Sequence, residues 1–418
     1  MNTAFVFFRR CLGAVALGLA IGAVGVAFHH AIDAATALRE QYPALILLLP
    51  LGGALILWLY RRCGMANDRG TNQVLLAVRD HEPIKLRTAA LIFLTTVLTH
   101  LVGGSSGREG AALQLGGSIA SRLSHTLKLP RQDGRVLTMC GMAAAFAALF
   151  GTPLTAAVFA LEVAHVGVLQ TAALAPALLS ALTAALLAGW LHVHPTAYAV
   201  QALPQLTPLT LVQVALLGVL CALLARLFCH TMHTAHHRYA HAVADPIRRA
   251  ALGGALVLAF TLLVGLVQGD PLGFQTYNGA GGNLITAAVE GGHALPWDFL
   301  LKLLFTALTL GCGFRGGEIV PTFSCGATFG CVAAPLLGLT PSCGAALGMT
   351  ALFCGVTNCP IASLLLAYEL FGGEGLALFA LAIAVTHQLS GKNSLYSTQR
   401  VDLSKNQLEE CEVGGKNG

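Results

Sequence analysis

Charge is what this chain has least of. Only 10% of its 418 residues are Asp, Glu, Lys or Arg, where a soluble domain carries about 25%. So few charges cannot clothe a water-facing surface, and a soluble enzyme is excluded. Aromatics are also sparse, at 7% with three Trp, and no basic face is interleaved with them, which removes nucleic acid as a partner. Twelve cysteines are scattered through the chain, yet no CxxC pair or regular framework occurs. They read as small apolar packing residues between close helices. What fills the chain instead is apolar: 56% hydrophobic residues and a mean hydropathy of +0.72. Leu12 to Ile32, Ala44 to Tyr60, Thr171 to Leu191, Leu209 to Leu227 and Ala250 to Val267 approach the roughly 20 residues of a spanning helix. Such runs recur to the end, unlike a signal peptide ahead of a soluble body. The expectation is a polytopic membrane protein.

The net charge of +5 is unevenly placed. Arg9, Arg10, Arg61, Arg62, Arg69, Arg238, Arg248 and Arg249 cluster at ends of apolar segments. His192 to Thr210 and Gln268 to Asp298 contain no Lys or Arg. The positive-inside bias puts the basic ends in the cytoplasm and those two stretches outside.

Two glycine turns each hold a carboxylate: Gly107-Arg108-Glu109-Gly110 and Gly316-Gly317-Glu318. The glutamates are 318 − 109 = 209 residues apart, as are Gly104 and Gly313, and Gly117 and Gly326. Pro153…Glu162 is echoed by Pro360…Glu369 at 207 residues. The pattern indicates duplicated halves, expected at about 10–200 and 207–400 within one transmembrane domain, with 401–418 as a short cytoplasmic tail. A carboxylate in apolar surroundings is costly and marks function, and halves meeting at glycine-broken segments are the layout of a transport site. Glycine runs interrupt helices. Ala111 to Leu123, Gly141 to Leu149 and Pro153 to Val163 are each too short to span alone, and such re-entrant pieces survive only against a protein cavity. Cys63 to Arg87 reads as a polar stretch.

Helix N-termini offer unpaired N–H groups and about half a positive charge, so several converging on one point bind an anion without a buried cation. Restarts after Gly107, Gly317 and Gly355 are the expected contributors. A carboxylate there competes with an anion for the same donors, and protonation releases it, which couples anion to proton. The plainer readings are a capping carboxylate at Glu109 and a structural one at Glu318.

With Gly-Arg-Glu-Gly in place, the chain from about residue 10 to 400 is similar to the CLC family of anion channels and proton antiporters. The Pro153…Glu162 and Asn358-Cys359-Pro360-Ile361…Glu369 runs resemble its paired interfacial helices. Tyr396, at the end of Ser390-Gly391-Lys392-Asn393-Ser394-Leu395-Tyr396, resembles the tyrosine that closes its anion site from the inside. Glu318 in Gly316-Gly317-Glu318-Ile319-Val320-Pro321, and Val163 where chloride antiporters have a second glutamate, resemble the bacterial fluoride/proton branch. The chain departs from that branch at Thr71, at Val320, and in lacking Phe between Phe28 and Phe93.

The resemblance implies an all-α membrane protein of two inverted halves with broken and re-entrant helices. It also implies a homodimer in the lipid bilayer of a bacterial inner membrane. Glu109 and Glu318 would gate and couple protons from one central cavity. Gly70, Thr71, Asn72, Gly107, Arg108, Gly110, Ile319, Val320 and Tyr396 would surround the anion, and no cofactor or metal is called for. The implied activity is fluoride export against protons, with a chloride channel or chloride/proton exchanger as the alternative.

Two other signals stand beside this. Gly103-Gly104-Ser105-Ser106-Gly107, with His100 or His387, has the form of a serine-protease motif. The run His230, His233, His236, His237 and His241 has the i,i+4 pairs suited to zinc, although a solvated helix end explains it too.

Overall fold

The computed structural model describes residues 3–392 and 394–401, with side chains from residue 7 to 400; Asn393 and the expected tail beyond 401 lie outside the described residues. A bilayer offers the backbone no water to bond, so apolar runs close their own hydrogen bonds as helices. In the first half these are α1 (Thr3–Gln41), α2 (Leu49–Arg62), α3 (Thr71–Asp80), α4 (Leu86–Leu101), α5 (Glu109–Thr126), α6 (Arg131–Phe150), α7 (Pro153–Glu162) and α8 (Leu174–Trp190). The second half has α9 (Pro208–Ala242), α10 (Pro246–Val267), α11 (Gly282–Val289), α12 (Asp298–Gly311), α13 (Ile319–Ala333), α14 (Pro341–Thr357), α15 (Pro360–Phe371) and α16 (Leu376–Leu389). Among the described residues, seven helices are long and apolar enough to cross a membrane. A further five apolar helices have 10–17 residues. At 1.5 Å per residue these fall short of a hydrocarbon core of about 30 Å.

The halves repeat each other in packing. α1 on α6, α1 on α8, α4 on α5, α5 on α6 and α6 on α7 recur as α9 on α14, α9 on α16, α12 on α13, α13 on α14 and α14 on α15. Across the halves, α2 lies against α10 and α7 against α15. Small residues set the closest approaches. A methyl on Gly141 would stand 2.5 Å from the Gly116 carbonyl oxygen, and one on Gly326 would stand 2.5 Å from that of Gly348. Among membrane helices such contact is how dispersion holds a bundle together. Nine of the eleven described cysteines are buried, and none is disulfide-bonded, which fits packing residues.

Four expectations change. Gly141–Leu149 is not a short helix but the second half of α6. Its polar start, Arg131-Gln132-Asp133-Gly134-Arg135, hides the helix from an apolarity reading. The polar stretch Cys63–Arg87 contains α3, whose N-cap is Gly70 at φ +62°. Gly355 is no restart: α14 runs through it and ends at Thr357, with Asn358 left-handed at φ +59°. Gly355 is small for packing, since a methyl there would meet Ala225 Cβ at 2.6 Å.

The fourth change is the repeat register at the glycine breaks. Left-handed Gly103 and Gly313, bridged Gly107 and Gly317, helix starts Glu109 and Ile319, and packing glycines Gly116 and Gly326 are each 210 apart. Glu318 is therefore the spatial counterpart of Arg108, not of Glu109. Glycine doublets allow either register by identity, and only backbone angles and bonding decide.

Candidate functional site

The two glycine breaks meet as a pair of backbone hydrogen bonds. Gly107 N–H donates to the Gly317 carbonyl at 2.7 Å and Gly317 N–H to the Gly107 carbonyl at 2.6 Å. This bridge fixes the starts of α5 and α13 beside each other. A methyl on Gly110 would stand 3.1 Å from Gly317 Cα, 3.7 Å from Glu318 N and 3.7 Å from Thr71 Oγ1. Thr71 itself opens α3 and donates to the Gly110 carbonyl at 3.3 Å. Three helix N-termini therefore converge, those of α3, α5 and α13. The third is α3 in place of the expected restart after Gly355.

Glu109 is 1% exposed and folds back onto its own helix start. Its Oε2 accepts the Arg108 N–H at 3.0 Å, and its Oε1 lies 3.7 Å from Arg108 Nε. The Arg108 guanidinium also donates to Asp33 at 2.7 Å, which pairs with His29 at 2.9 Å. A methyl on Gly107 would stand 2.9 Å from Glu109 Oε2, so glycine there leaves room for the carboxylate. The acid thus occupies donors that an anion would otherwise use.

Glu318 is the N-cap of α13 without a side-chain capping bond. It is partly exposed. Tyr396 is 3% exposed and its hydroxyl has no protein partner. The segment carrying it is pinned by Leu395 N–H and Ser394 Oγ on the Val356 carbonyl, at 2.9 and 3.1 Å. A cavity of about 650 Å³ opens at Glu109, lined by Glu109, Arg108, Val320, Arg39, His100 and Asn278 among others. Glu318 does not line it, so the two glutamates do not share this cavity as expected. Ile319 is fully buried and Val320 7% exposed. Asn72 is spoken for: its Oδ1 accepts from Thr398 N and Oγ1 at 3.2 and 3.0 Å, which ties the C-terminal segment to α3.

Several groups carried no sequence signal. Asp68, with its side chain fully buried, accepts from Gly70 N and Gln114 Nε2, both at 3.2 Å, and stands 3.6 Å from Arg315. The Arg315 guanidinium lies 4.2 Å from the centre of the Tyr60 ring. Lys302 is fully buried, donating to Ser105 Oγ, Tyr277 O and Gly279 O at 3.0, 3.1 and 2.8 Å. Of these, Lys302 alone is a cation inside an apolar helix, α12; Asp68 and Arg315 lie in a polar stretch and a glycine break.

α7 and α15 exchange carboxylates. Glu162 accepts from Ile361 N and Ala362 N at 3.2 and 2.9 Å. Glu369 accepts from Leu154 N and Thr155 N at 2.8 Å each and from Thr155 Oγ1 at 2.6 Å. Each helix start is closed by the other helix's end, which removes both from anion binding.

The competing motifs do not assemble. Ser105 is fully buried with its hydroxyl between Lys302 and Thr306, and the His100 ring bonds Thr96 O at 2.9 Å. His230, His233, His236, His237 and His241 are all exposed, and no group of three metal-ligating side chains forms among the described residues.

Residues 52–390 match the family described as "Voltage gated chloride channel". A "Chloride/fluoride channel protein" of Pseudomonas syringae pv. tomato (strain ATCC BAA-871 / DC3000) is 35% identical over 391 residues, 93% of this chain and 86% of that one. The crystal structure of a CLC-type fluoride/proton antiporter superposes with a TM-score of 0.90 at 33% identity, covering 96% of this chain and 100% of that one. A slow cyanobacterial Cl⁻/H⁺ antiporter superposes at 0.78 with 20% identity, over 93% of this chain and 96% of that one, and shares the fold.

Proposed function

Because the chain belongs to the voltage-gated chloride channel (CLC) family, we propose that it is a fluoride/proton antiporter exporting fluoride across a bacterial inner membrane. Its two inverted halves, about 10–200 and 207–400, form one transmembrane domain, and the protein works as a homodimer. The observation that carries the reading is the Glu109 carboxylate seated on the start of α5, beside the Gly107–Gly317 bridge. An anion arriving at these N–H groups displaces the carboxylate. The displaced acid takes a proton, because a charged carboxylate without donors is disfavoured in apolar surroundings. Deprotonation returns it, so anion and proton alternate at one place.

Glu318 and Tyr396 occupy the inner side, where a second carboxylate near an unpartnered hydroxyl can pass the proton onward. Thr71, Gly70, Gly110, Ile319 and Tyr396 surround the anion. Fluoride holds its water tightly and needs several close donors in exchange, which three helix starts supply. Glu318 supports fluoride/proton exchange. The Pseudomonas relative is named for both halides, so chloride is the second reading.

Purified protein in liposomes, with fluoride, chloride and pH followed together, tests both. Fluoride efflux that drives stoichiometric proton uptake supports antiport. Chloride flux outpacing fluoride, or fluoride flux without protons, overturns it.

A further inference from the structure

The cavity outside Glu109 holds a cation that the scheme above does not use. Arg39, at the end of α1, is 5% exposed, and its Nε and Nη1 are buried without a protein partner. A guanidinium is rarely buried unless it is paired. None of the nearby carboxylates pairs with it. Asp33 is taken by Arg108 and His29. Glu109 sits on its own helix start, and Asp298 accepts from Tyr277 Oη at 2.6 Å and Leu295 N at 2.7 Å. Glu40 is exposed and makes no ion pair among the described residues.

The guanidinium lies over the Gly279 peptide, where a methyl would stand 3.1 Å from Nη1 and 3.3 Å from Nη2. Gly279 has φ +63°, so glycine suits both the turn and the approach. The same peptide's carbonyl accepts from Lys302 Nζ at 2.8 Å, and the other acceptors of Lys302 are neutral as well. Two buried basic side chains thus flank one peptide with no carboxylate between them. Arg39 lines the cavity with Arg108, Asn278 and Gly281. At about 650 Å³, against about 30 Å³ per water, the cavity has room for an anion that keeps part of its hydration.

We propose that Arg39 anchors an outer binding subsite for a small monovalent anion, fluoride in the reading above, on the outer side of Glu109. An anion held there waits, or departs, while Glu109 occupies the donors at the start of α5. Part of the cavity wall, from Gly273 to Asn283 and at Thr196 and Tyr198, comes from the two stretches that contain no Lys or Arg, which places it at the outer face.

The test uses full-length protein in liposomes and reads the external fluoride concentration that half-saturates uptake. In Arg39→Gln this concentration rises about ten-fold, the worth of one charge-assisted hydrogen bond. Arg39→Lys, which keeps the charge, stays within about three-fold of the original protein. Arg39→Cys behaves like Arg39→Gln, and an impermeant thiol reagent bearing an ammonium group, added outside, brings it back. A sulfonate-bearing reagent does not, and neither reagent affects the unsubstituted protein. Unchanged half-saturation in Arg39→Gln, equal response to both reagents, or a Lys variant as impaired as Gln overturns the subsite. Unsubstituted protein that moves no halide refutes the transport reading instead. Calorimetric titration of sodium fluoride into the purified protein and Arg39→Gln then still decides on the subsite, by whether the substitution weakens binding.

Discussion

Replacing Glu162 by Ala removes the cap from α15 and exposes how much the paired helices rely on exchanged carboxylates. The side chain is 5% exposed and accepts from two backbone N–H groups at 3.2 and 2.9 Å. Losing a cap costs about 0.5–2 kcal/mol, and each buried donor left unsatisfied costs about 1–3 kcal/mol. The cap consists of these two bonds, so the two costs are not summed; two donors at the lower end of the range give a destabilisation of about 2 kcal/mol. Glu162→Gln keeps one acceptor oxygen but turns an amide N–H₂ toward the second N–H, so about half of that loss is expected.

Glu369→Ala removes three bonds at the start of α7. On α15 the two sites, Ile361 and Glu369, are separated by about 12 Å of helix, far enough for their effects to add. Thermal unfolding of the detergent-purified variants measures this, with fluoride/proton exchange per folded protein as the second reading. The single variants lower the midpoint, the double variant lowers it by the sum, and coupling of proton to anion persists in all. Midpoints equal to the original protein's would refute the capping argument. Lost coupling in a well-folded Glu162→Gln would instead put a proton path through α7.

Glu109→Gln leaves the anion route in place but has no proton to exchange, so anion flux continues without pH change; proton uptake at the original rate would sink the gating role. Glu318→Ala should abolish or uncouple exchange, and coupled exchange in a well-folded Glu318→Ala protein would favour the chloride reading. Gly317→Ala places a methyl 2.6 Å from Gly110 N and 3.2 Å from Glu109 N. Backbone cannot yield as a side chain would, so overpacking of about 1–3 kcal/mol falls on the bridge, and flux should drop about ten-fold or more in protein that still purifies. Thr71→Ala removes a hydroxyl from the converging helix starts and should slow fluoride more than chloride; equal effects on both would remove Thr71 from selectivity.

The sequence alone determined the solvent of this protein and the chemistry of its centre. Sparse charge and repeated apolar runs demand a bilayer, and glycine beside Glu109 and Glu318 marks where helices break around carboxylates. These signals are local, so adjacent residues carry them. Tertiary structure alone decided which helix starts converge. α3 hides in a polar stretch because its buried run, Val74 to Val78, is short and is flanked by Asn72, Gln73 and Arg79. α14 passes through Gly355 because that glycine serves close packing, and composition does not distinguish packing from a break. The register of 210 rests on φ angles and a backbone bridge, neither of which leaves a trace in residue identity. Arg39, Lys302 and Asp68 acquire meaning only from neighbours distant in sequence. A buried charge is defined by what the fold brings, or fails to bring, within bonding distance.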